Sequence, residues 1–206
     1  MTRTLVIFAK APALGRVKTR LARGIGQTAA LAFYRQTLSQ ALERVACEPK
    51  WRTVLAVTPD AAARRPRLWP LRVRRRGQGE GDLGVRMGRA FRTLPKGAVI
   101  IVGADIPEMR ADHIARAFAA LGTADLVFGP ATDGGYWLIG AKGAARGADM
   151  FANVRWSTKH ALADTLANLG GRKVAMLDPL DDVDDVAAYR RFLRRGGFRP
   201  SPSVSR

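Results

Sequence analysis

The sequence predicts a three-layer α/β domain, an αβα sandwich in which helices cover both faces of a mostly parallel sheet. Short apolar segments alternate with amphipathic ones along the chain, a pattern typical of consecutive βα units. The composition, 47% hydrophobic and 25% charged, is that of a globular protein and excludes a disordered or fibrous chain. A chain of 206 residues favours one domain, which we predict over residues 1–195, with 196–206 as a flexible tail.

The first half of the chain contains two predicted strands and two predicted helices. Residues 4–9 form an apolar strand, and a basic loop and turn follow it. Apolar side chains then recur every three or four residues over 27–46, which predicts a long helix. Residues 53–57 form a second short strand that ends before Pro59, and 82–94 are expected to form the next helix.

The second half begins with the most apolar strand of the sequence, residues 99–102. The remaining elements are a helix at 111–121, strands at 126–128 and 136–139, a helix at 158–169, a strand at 174–177 and a helix at 186–194. Ser157 or Thr158 is the expected N-cap of the helix at 158–169. Ligands of such sheets bind at the carboxyl ends of the strands, so the chemistry is expected in the loops that follow them.

The chain is strongly basic, with 35 Lys and Arg against 17 Asp and Glu and a formal net charge of +18. Such a charge favours anionic partners, although solvated arginines explain part of it. The densest run of arginines, at 72–76, is a candidate phosphate or nucleic-acid patch. It lacks the interleaved aromatic residues that stack on bases, so we expect no specific nucleic-acid partner.

No segment is suited to a membrane or to export. A membrane-spanning helix needs about 20 apolar residues, whereas the longest apolar run here extends from Ala98 to Ala104. Lys10 and Pro12 interrupt the apolar start of the chain, so we expect no signal peptide. Cys47 is the only cysteine and cannot form an internal disulfide. These features predict a cytoplasmic protein without a membrane partner.

The loop after the first strand is a candidate phosphate site. Its six candidate binding residues are Lys10, Gly15, Arg16, Lys18, Thr19 and Arg20. The glycine allows close backbone approach, and the four cations offset the charge of a diphosphate or triphosphate. The loop is not a Walker A motif, because Val17 stands where that motif has glycine. The alternative is a solvated basic connector.

Asp105 is the candidate metal ligand. It directly follows the most apolar strand, in the segment G-A-D-I-P, and should face the basic loop. A carboxylate in this place is typical of a Mg²⁺ or Mn²⁺ site that shares the ion with substrate phosphates. The alternative is a turn or helix cap. A second oxygen ligand is expected from Asp133 or from the cluster of Asp181, Asp182, Asp184 and Asp185. For Asp181 and Asp185 we favour capping of the last helix.

The segment from Asp133 through Gly134 and Gly135 to Tyr136 leads into a predicted strand. One interpretation is a type I′ hairpin turn. The other is a substrate site, in which the glycines let a substrate approach backbone amides. Asp133 then accepts a hydrogen bond from a hydroxyl group or acts as a base toward the acceptor.

Six segments occur in a recognisable order between residue 5 and about residue 193. They are F-A-K-A-P-A-L-G-R-V-K-T-R-L-A, Q-G-E-G-D-L-G-V-R-M, G-A-D-I-P, G-P-A-T-D-G-G-Y-W-L-I-G, W-S-T and D-V-D. Together they resemble the glycosyltransferase-A-like proteins called radical-SAM/selenodomain-associated or arsenosugar-biosynthesis transferases. Those proteins are distant relatives of the phospholactate and molybdopterin guanylyltransferases. The resemblance covers nearly the whole chain.

The resemblance implies the nucleotide-diphospho-sugar transferase fold, which is GT-A-like. It implies that Lys18 and Arg20 lie in the nucleotide-phosphate loop and that Asp105 binds the metal. It also matches Asp184 to a second metal ligand of the relatives.

The same resemblance places the segment from Gln78 to Met87 beside the nucleotide or the acceptor, with Gln78 and Asp82 as the candidate binding residues. One departure concerns the metal motif, since typical glycosyltransferases of this fold carry Asp-x-Asp after the middle strand. Here Gly103 and Pro107 flank a single Asp105. A single aspartate with a Lys-Thr-Arg loop is closer to nucleotidyltransferases.

The sequence therefore predicts a transferase that uses Mg²⁺ or Mn²⁺, a nucleotide-activated donor and a small-molecule acceptor. The candidate catalytic residues are Lys18, Asp105 and Asp133. The resemblance favours glycosyl transfer from a sugar nucleotide. The alternative is nucleotidyl transfer, in which a nucleoside triphosphate and a phosphorylated acceptor react and pyrophosphate leaves. A basic nucleic-acid-binding protein is a distant third hypothesis. The base, the sugar, the acceptor and the oligomeric state stay open at this point.

Overall fold

Seven strands pair into one sheet in the structure, a computed structural model that describes residues 2–70, 73–147 and 149–198. In chain order the strands are β1 (Arg3–Lys10), β2 (Arg52–Thr58), β3 (Arg74–Gly77), β4 (Ala98–Gly103), β5 (Leu126–Pro130), β6 (Tyr136–Ala141) and β7 (Val174–Met176). Their order across the sheet is β3-β2-β1-β4-β6-β5-β7. β6 runs antiparallel to both of its neighbours, and all other pairs are parallel. The predicted mostly parallel sheet is confirmed.

Helices cover both faces of this sheet. They are α1 (Thr19–Ile25), α2 (Gln27–Val45), α3 (Leu83–Thr93), α4 (Ala111–Ala120), α5 (Ala161–Ala167) and α6 (Val186–Arg194), with short 3₁₀ turns at Asp60–Arg64, Pro66–Leu68 and Gly143–Gly147. α2 and α4 pack on one face, and α3 and α5 pack on the other. The predicted three-layer arrangement is therefore confirmed.

Alternation along the central strands builds the two apolar layers. Leu5 and Ile7 of β1 join α2 and α4, whereas Val6 between them joins α3 on the opposite face. β4 divides its side chains in the same way, since successive residues of a strand point to opposite faces. A third, smaller cluster joins α1, α2 and α6 around Phe33.

Strand direction brings the functional loops to one edge of the sheet. β1, β2, β3 and β4 are parallel, so their carboxyl ends lie together. β5 also runs in this direction, because both β4 and β5 are antiparallel to β6. The β5–β6 hairpin loop, residues 131–135, consequently lies at the same edge as the loop after β1.

Two elements and one cap differ from the sequence prediction. The basic turn after the first strand forms α1, a short helix in which only Leu21 is fully buried, so its apolar signal is weak. The arginine run contributes β3, and its charges are tolerated because β3 is an edge strand. α5 begins at Ala161 with His160 as N-cap, so the predicted cap at Ser157 or Thr158 was wrong.

Some sequence predictions fall on parts of the chain that the structure does not describe. Arg72 of the arginine run and residues 199–206 of the expected tail lie outside the described residues. Within the described ranges, none of the helices has the length and apolar character required to cross a membrane.

We expect the buried core to dominate stability. Leu55→Ala on β2 removes a fully buried side chain and should lower the free energy of unfolding by about 2–5 kcal/mol. Leu193→Ala on α6 is the matched control, since this leucine is 51% exposed and should change stability by less than about 0.5 kcal/mol. Urea denaturation measures both values. Equal losses in the two variants would contradict this description of the core.

Candidate active site

A cavity of about 590 Å³ opens at the edge where the strand ends meet. Most of the predicted site residues line it: Lys10, Arg16, Lys18, Thr19, Arg20, Gln78, Asp105, Asp133, Gly135, Tyr136 and Asp184. Gly15, Asp82 and Gly134 are not among the lining residues. The volume is within the range of about 300–1,000 Å³ that is usual for small-molecule sites.

The centre of the site is an ion pair between two predicted residues. Lys18 precedes α1 and has a left-handed backbone, with φ at 48°. This conformation sends its side chain inward, where Nζ donates a hydrogen bond of 2.8 Å to Oδ2 of Asp105. The same Nζ lies 3.5 Å from Oδ1 of Asp184 and 4.0 Å from Oδ2 of Asp182. One buried ammonium therefore holds three carboxylates together.

The electrostatics keep this central pair ionised. Burial disfavours the Lys18 ammonium, but the carboxylates of Asp105, Asp182 and Asp184 outweigh that penalty and raise the pKa of Lys18. Burial also favours a neutral Asp105, but the ammonium outweighs it and lowers the pKa of that carboxyl. Both groups are consequently charged at neutral pH.

Asp182 behaves differently from Asp105. Burial and the nearby carboxylates of Asp105, Asp184 and Asp133 raise its pKa to about 6, although Lys18 opposes the shift. Asp182 thus exchanges a proton close to neutral pH.

Hydrogen bonds fix the acidic segment 181–185 against the hairpin loop. Oδ1 of Asp181 accepts hydrogen bonds from the backbone N of Thr132 at 3.1 Å and from its hydroxyl at 2.6 Å. The predicted capping role of Asp181 was therefore wrong. The capping role of Asp185 is confirmed, since its Oδ1 accepts from the backbone N of Ala188 at 2.8 Å.

The hairpin loop is not a type I′ turn, which requires a positive φ at both central residues. The central residues of the predicted turn are Gly134 and Gly135, and only Gly134 is among the residues with positive φ. Oδ1 of Asp133 instead accepts from the backbone N of Gly135 at 2.9 Å. Gly134 has φ at 85°, and a Cβ there would collide with the carbonyl oxygen of Lys159.

Gln78 fixes the opposite end of the cavity. Its Nε2 donates to the carbonyl oxygens of Ala9 at 3.3 Å and Ala56 at 2.8 Å, which ties β1 to β2. Its Oε1 accepts from Nη1 of Arg86 at 3.0 Å. Asp82 caps α3, since its Oδ1 accepts from the backbone N of Val85 at 2.8 Å.

Three further residues line the cavity and were not named individually as candidates from the sequence. Arg86 lies in the segment 78–87 that the family resemblance placed beside a ligand, but no spacing rule distinguished it from the other arginines. Tyr34 follows the apolar pattern of α2, yet its hydroxyl donates to the carbonyl oxygen of Lys10 at 2.8 Å. Trp156 belongs to the W-S-T segment and lines the cavity beside Tyr136.

The arginine run is separate from the cavity, because Arg74, Arg75 and Arg76 are not among its lining residues. Nε of Arg75 donates to the carbonyl oxygen of Ala63 at 3.1 Å, and Nη2 of Arg76 donates to the hydroxyl of Thr93 at 3.0 Å. Two guanidinium groups of the run therefore hydrogen-bond within the protein and stabilise the edge of the sheet.

The carboxylates fit a divalent cation only in part. Asp105 and Asp184 both face Nζ of Lys18, so their oxygens converge on one point. In the described part of the chain, no three His, Cys, Asp or Glu side chains form a metal-binding group. A hard cation held by two carboxylates would therefore complete its shell with phosphate oxygens or water, and the ammonium would have to move aside.

The sheet order, the basic loop after β1 and the carboxylates define the nucleotide-diphospho-sugar transferase fold, and solved structures confirm it. A provisionally assigned nucleotide-diphospho-sugar transferase from Desulfovibrio desulfuricans G20 is 27% identical to this chain. The match covers 95% of this chain and 88% of that one, with a TM-score of 0.85.

Two further structures share the fold at lower identity. The 4-diphosphocytidyl-2C-methyl-D-erythritol synthase from Anaerococcus prevotii DSM 20548 is 11% identical over 94% of this chain and 99% of its own, with a TM-score of 0.62. Glucosyl-3-phosphoglycerate synthase from Mycobacterium tuberculosis, solved with Mn²⁺, UDP and glucosyl-3-phosphoglycerate, is 11% identical over 94% of this chain and 76% of its own, with a TM-score of 0.56.

The chain belongs to the DUF2064 family, described as an uncharacterized protein conserved in bacteria. The family's sequence profile matches residues 41–158, which is more than half of the chain. No curated protein matches the chain. The structural neighbours are nucleotide-sugar transferases and nucleotidyltransferases, and they support the predicted class of nucleotide-related transferase.

We predict that Asp182 titrates with a pKa of about 6. Because this pKa is raised, the stability that Asp182 contributes is complete below the ordinary aspartate pKa and is lost as the pH rises through about 6. Lys18→Met should raise the pKa further, since the ammonium lowers it. Carboxyl ¹³C NMR across the pH range measures the titration, and Asp182→Asn identifies the resonance. An ordinary pKa that Lys18→Met leaves unchanged would contradict this prediction.

Proposed function

We propose that this protein is a metal-dependent transferase that moves a glycosyl group from a sugar nucleotide to a small-molecule acceptor. The observation that carries the proposal is the meeting of the basic loop and Asp105 at one cavity, joined through Lys18. Phosphates need cations and a divalent ion needs carboxylates, so a bound nucleotide diphosphate requires both in contact.

Each half of the site has a role in this proposal. Lys10, Arg16 and Arg20 line the cavity and bind the phosphates of the donor. Asp105 and Asp184 would hold Mg²⁺ or Mn²⁺, which neutralises charge on the departing nucleoside diphosphate. Asp133 orients the acceptor hydroxyl and receives its proton.

Two findings support a metal-dependent donor site of this kind. Glucosyl-3-phosphoglycerate synthase, which shares the fold, was solved with Mn²⁺ and UDP. The resemblance to the arsenosugar-biosynthesis transferases also favours glycosyl transfer, and membership in that narrower group stays a prediction.

Nucleotidyl transfer is the second candidate, and the cation count of the loop is the observation that favours it. A nucleoside triphosphate carries more charge than a diphosphate and needs more countercharge. In the present geometry, Lys18 is engaged by Asp105 at 2.8 Å and Arg20 lies 3.6 Å from Asp184, so carboxylates already neutralise part of this countercharge. A divalent ion held by Asp105 and Asp184 would displace the ammonium and make it available to a phosphate.

Asp105 tests the donor site. We expect UDP, GDP or CDP and their sugar nucleotides to stabilise the protein in the presence of MgCl₂ or MnCl₂, by about 2.7 kcal/mol at 100 times Kd. EDTA or Asp105→Asn should remove this gain, because the ion then lacks its central ligand. Asp112→Asn is the control, since Asp112 is exposed on α4 and does not line the cavity. Thermal-shift measurements give the result, and metal-dependent binding to the Asp105→Asn variant would refute the assignment.

Arg20 tests the phosphate contact. Arg20→Ala should weaken nucleotide binding by about tenfold to a hundredfold, since a hydrogen bond to a charged group contributes about 1.5–3 kcal/mol. Arg23→Ala on the same helix is the matched control, because Arg23 does not line the cavity. Calorimetric titration measures both affinities. Equal affinity in the Arg20→Ala variant and the wild type would mean that the loop is only a connector.

The two transferase reactions differ in their products. Glycosyl transfer releases a nucleoside diphosphate from a sugar nucleotide, and nucleotidyl transfer releases pyrophosphate from a triphosphate. Assays of the two products with matched donors therefore separate them. Pyrophosphate release with a phosphorylated acceptor would overturn glycosyl transfer.

A further inference from the structure

The two halves of the cavity carry opposite charges. The half formed by the loop after β1 and by α3 is basic, and its cations are Lys10, Arg16, Lys18, Arg20 and Arg86. Asp182 and Asp184 lie with these cations, since Nζ of Lys18 is 4.0 Å and 3.5 Å from them and Nη1 of Arg20 is 3.6 Å from Asp184. The second half, formed by lining residues between 131 and 161, contributes one charged side chain, that of Asp133. Among the lining residues of this second half that the structure describes, there is no Lys or Arg.

The basic residues next to the second half are directed elsewhere. Arg155 forms a bidentate pair with Asp164, with Nη2 at 2.7 Å from Oδ1 and Nε at 2.9 Å from Oδ2. Lys159 is exposed and does not line the cavity. A phosphate or carboxylate bound here would therefore lie beside Asp133, and no Lys or Arg of this half of the lining would offset its charge.

Aromatic rings form the wall of the same half. Tyr136 and Trp156 lie edge to face, with ring centroids 6.4 Å apart. The Tyr136 hydroxyl lies 3.5 Å from the hydroxyl of Thr165, which leaves the ring to line the cavity. Gly84 allows α3 to pack closely on the indole, since a Cβ there would lie 2.8 Å from Cζ2 of Trp156.

Polar groups surround these rings. The backbone N of Gly135 donates a hydrogen bond to Oδ1 of Asp133. Oδ2 of Asp133 has no hydrogen-bond partner among the residues in the described ranges. Ser157 and Thr158 add hydroxyl groups to the lining. Carboxylates accept hydrogen bonds from hydroxyl groups, and aromatic rings pack against the apolar faces of sugar-like molecules.

We propose that the acceptor is a hydroxyl-rich molecule without negative charge, and that it binds against Tyr136 and Trp156 beside Asp133. This inference rests on the proposed function, because it assigns the basic half to the donor phosphates. An acceptor site of this kind disfavours phosphorylated acceptors. Nucleotidyl transfer requires a phosphorylated acceptor and glycosyl transfer does not, so the site favours glycosyl transfer.

The test compares methyl α-D-glucopyranoside with glucose 6-phosphate as matched neutral and anionic probes. Pyrophosphate with MgCl₂ first fills the basic loop, so that glucose 6-phosphate cannot bind there through its phosphate. Saturation-transfer NMR on the full chain then measures both dissociation constants. We expect glucose 6-phosphate to bind at least tenfold more weakly than the methyl glucoside.

Two variants locate the binding. Trp156→Ala should weaken binding of the methyl glucoside at least tenfold, and circular dichroism and thermal unfolding verify that the variant is folded. Ser157→Lys places a cation at the wall of the cavity and should lower the dissociation constant of glucose 6-phosphate at least fivefold. Ser157 already has a left-handed backbone, as Lys18 does, so lysine is tolerated there.

The outcomes separate the inference from the proposed function. Equal or tighter binding of glucose 6-phosphate to the wild type, or no binding of the methyl glucoside, would overturn the inference. Binding of the methyl glucoside that Trp156→Ala leaves unchanged would also overturn it. Failure of nucleotides to bind would refute the proposed function, whereas the two probes would still show whether this half of the cavity prefers a neutral molecule.

Discussion

The contact between the Lys18 ammonium and the Asp105 carboxylate connects the loop after β1 to the end of β4, at the centre of the sheet. Both groups are ionised, but the Lys18 side chain is buried whereas that of Asp105 is 34% exposed. The ammonium therefore depends on the carboxylate, because a buried charge without a partner is costly. The position of α1, which begins directly after Lys18, and the approach of Asp184 both depend on this contact.

The rest of the site is arranged around that pair as a gradient of charge. Cations dominate the side of β1 and α3, and Asp133 is the charged side chain that lines the side of the hairpin loop. The two bonds between Thr132 and Asp181 join the hairpin loop to the acidic segment, so Asp133 and Asp182 are held as one unit. This arrangement gives the two sides of one cavity different electrostatic environments.

Sequence patterns were sufficient to predict those features that depend on a single physical rule. The alternation of apolar segments predicted the three layers, and its position directly after a buried strand identified Asp105 as a residue of the cavity. Sequence was insufficient for α1 and β3, whose composition is too polar for a periodicity signal, because tertiary contacts and an edge position stabilise them. It also did not show that Lys18 reaches Asp105, since that contact depends on strand register across 87 residues of sequence separation. Trp156 lacked a signal because only the fold brings it beside Tyr136.

The edge position of β3 has a consequence for contacts between molecules. An edge strand offers unpaired backbone groups to any other strand, and a flat, uncharged edge is prone to self-association. Here the outermost strand consists of three arginines and a glycine, and Arg74 is exposed. Two copies that approached through this edge would bring like charges together within a Debye length of about 8 Å at physiological ionic strength. The same arginines that contribute to the basic character of the chain thereby protect this edge of the sheet from adding a neighbour's strand.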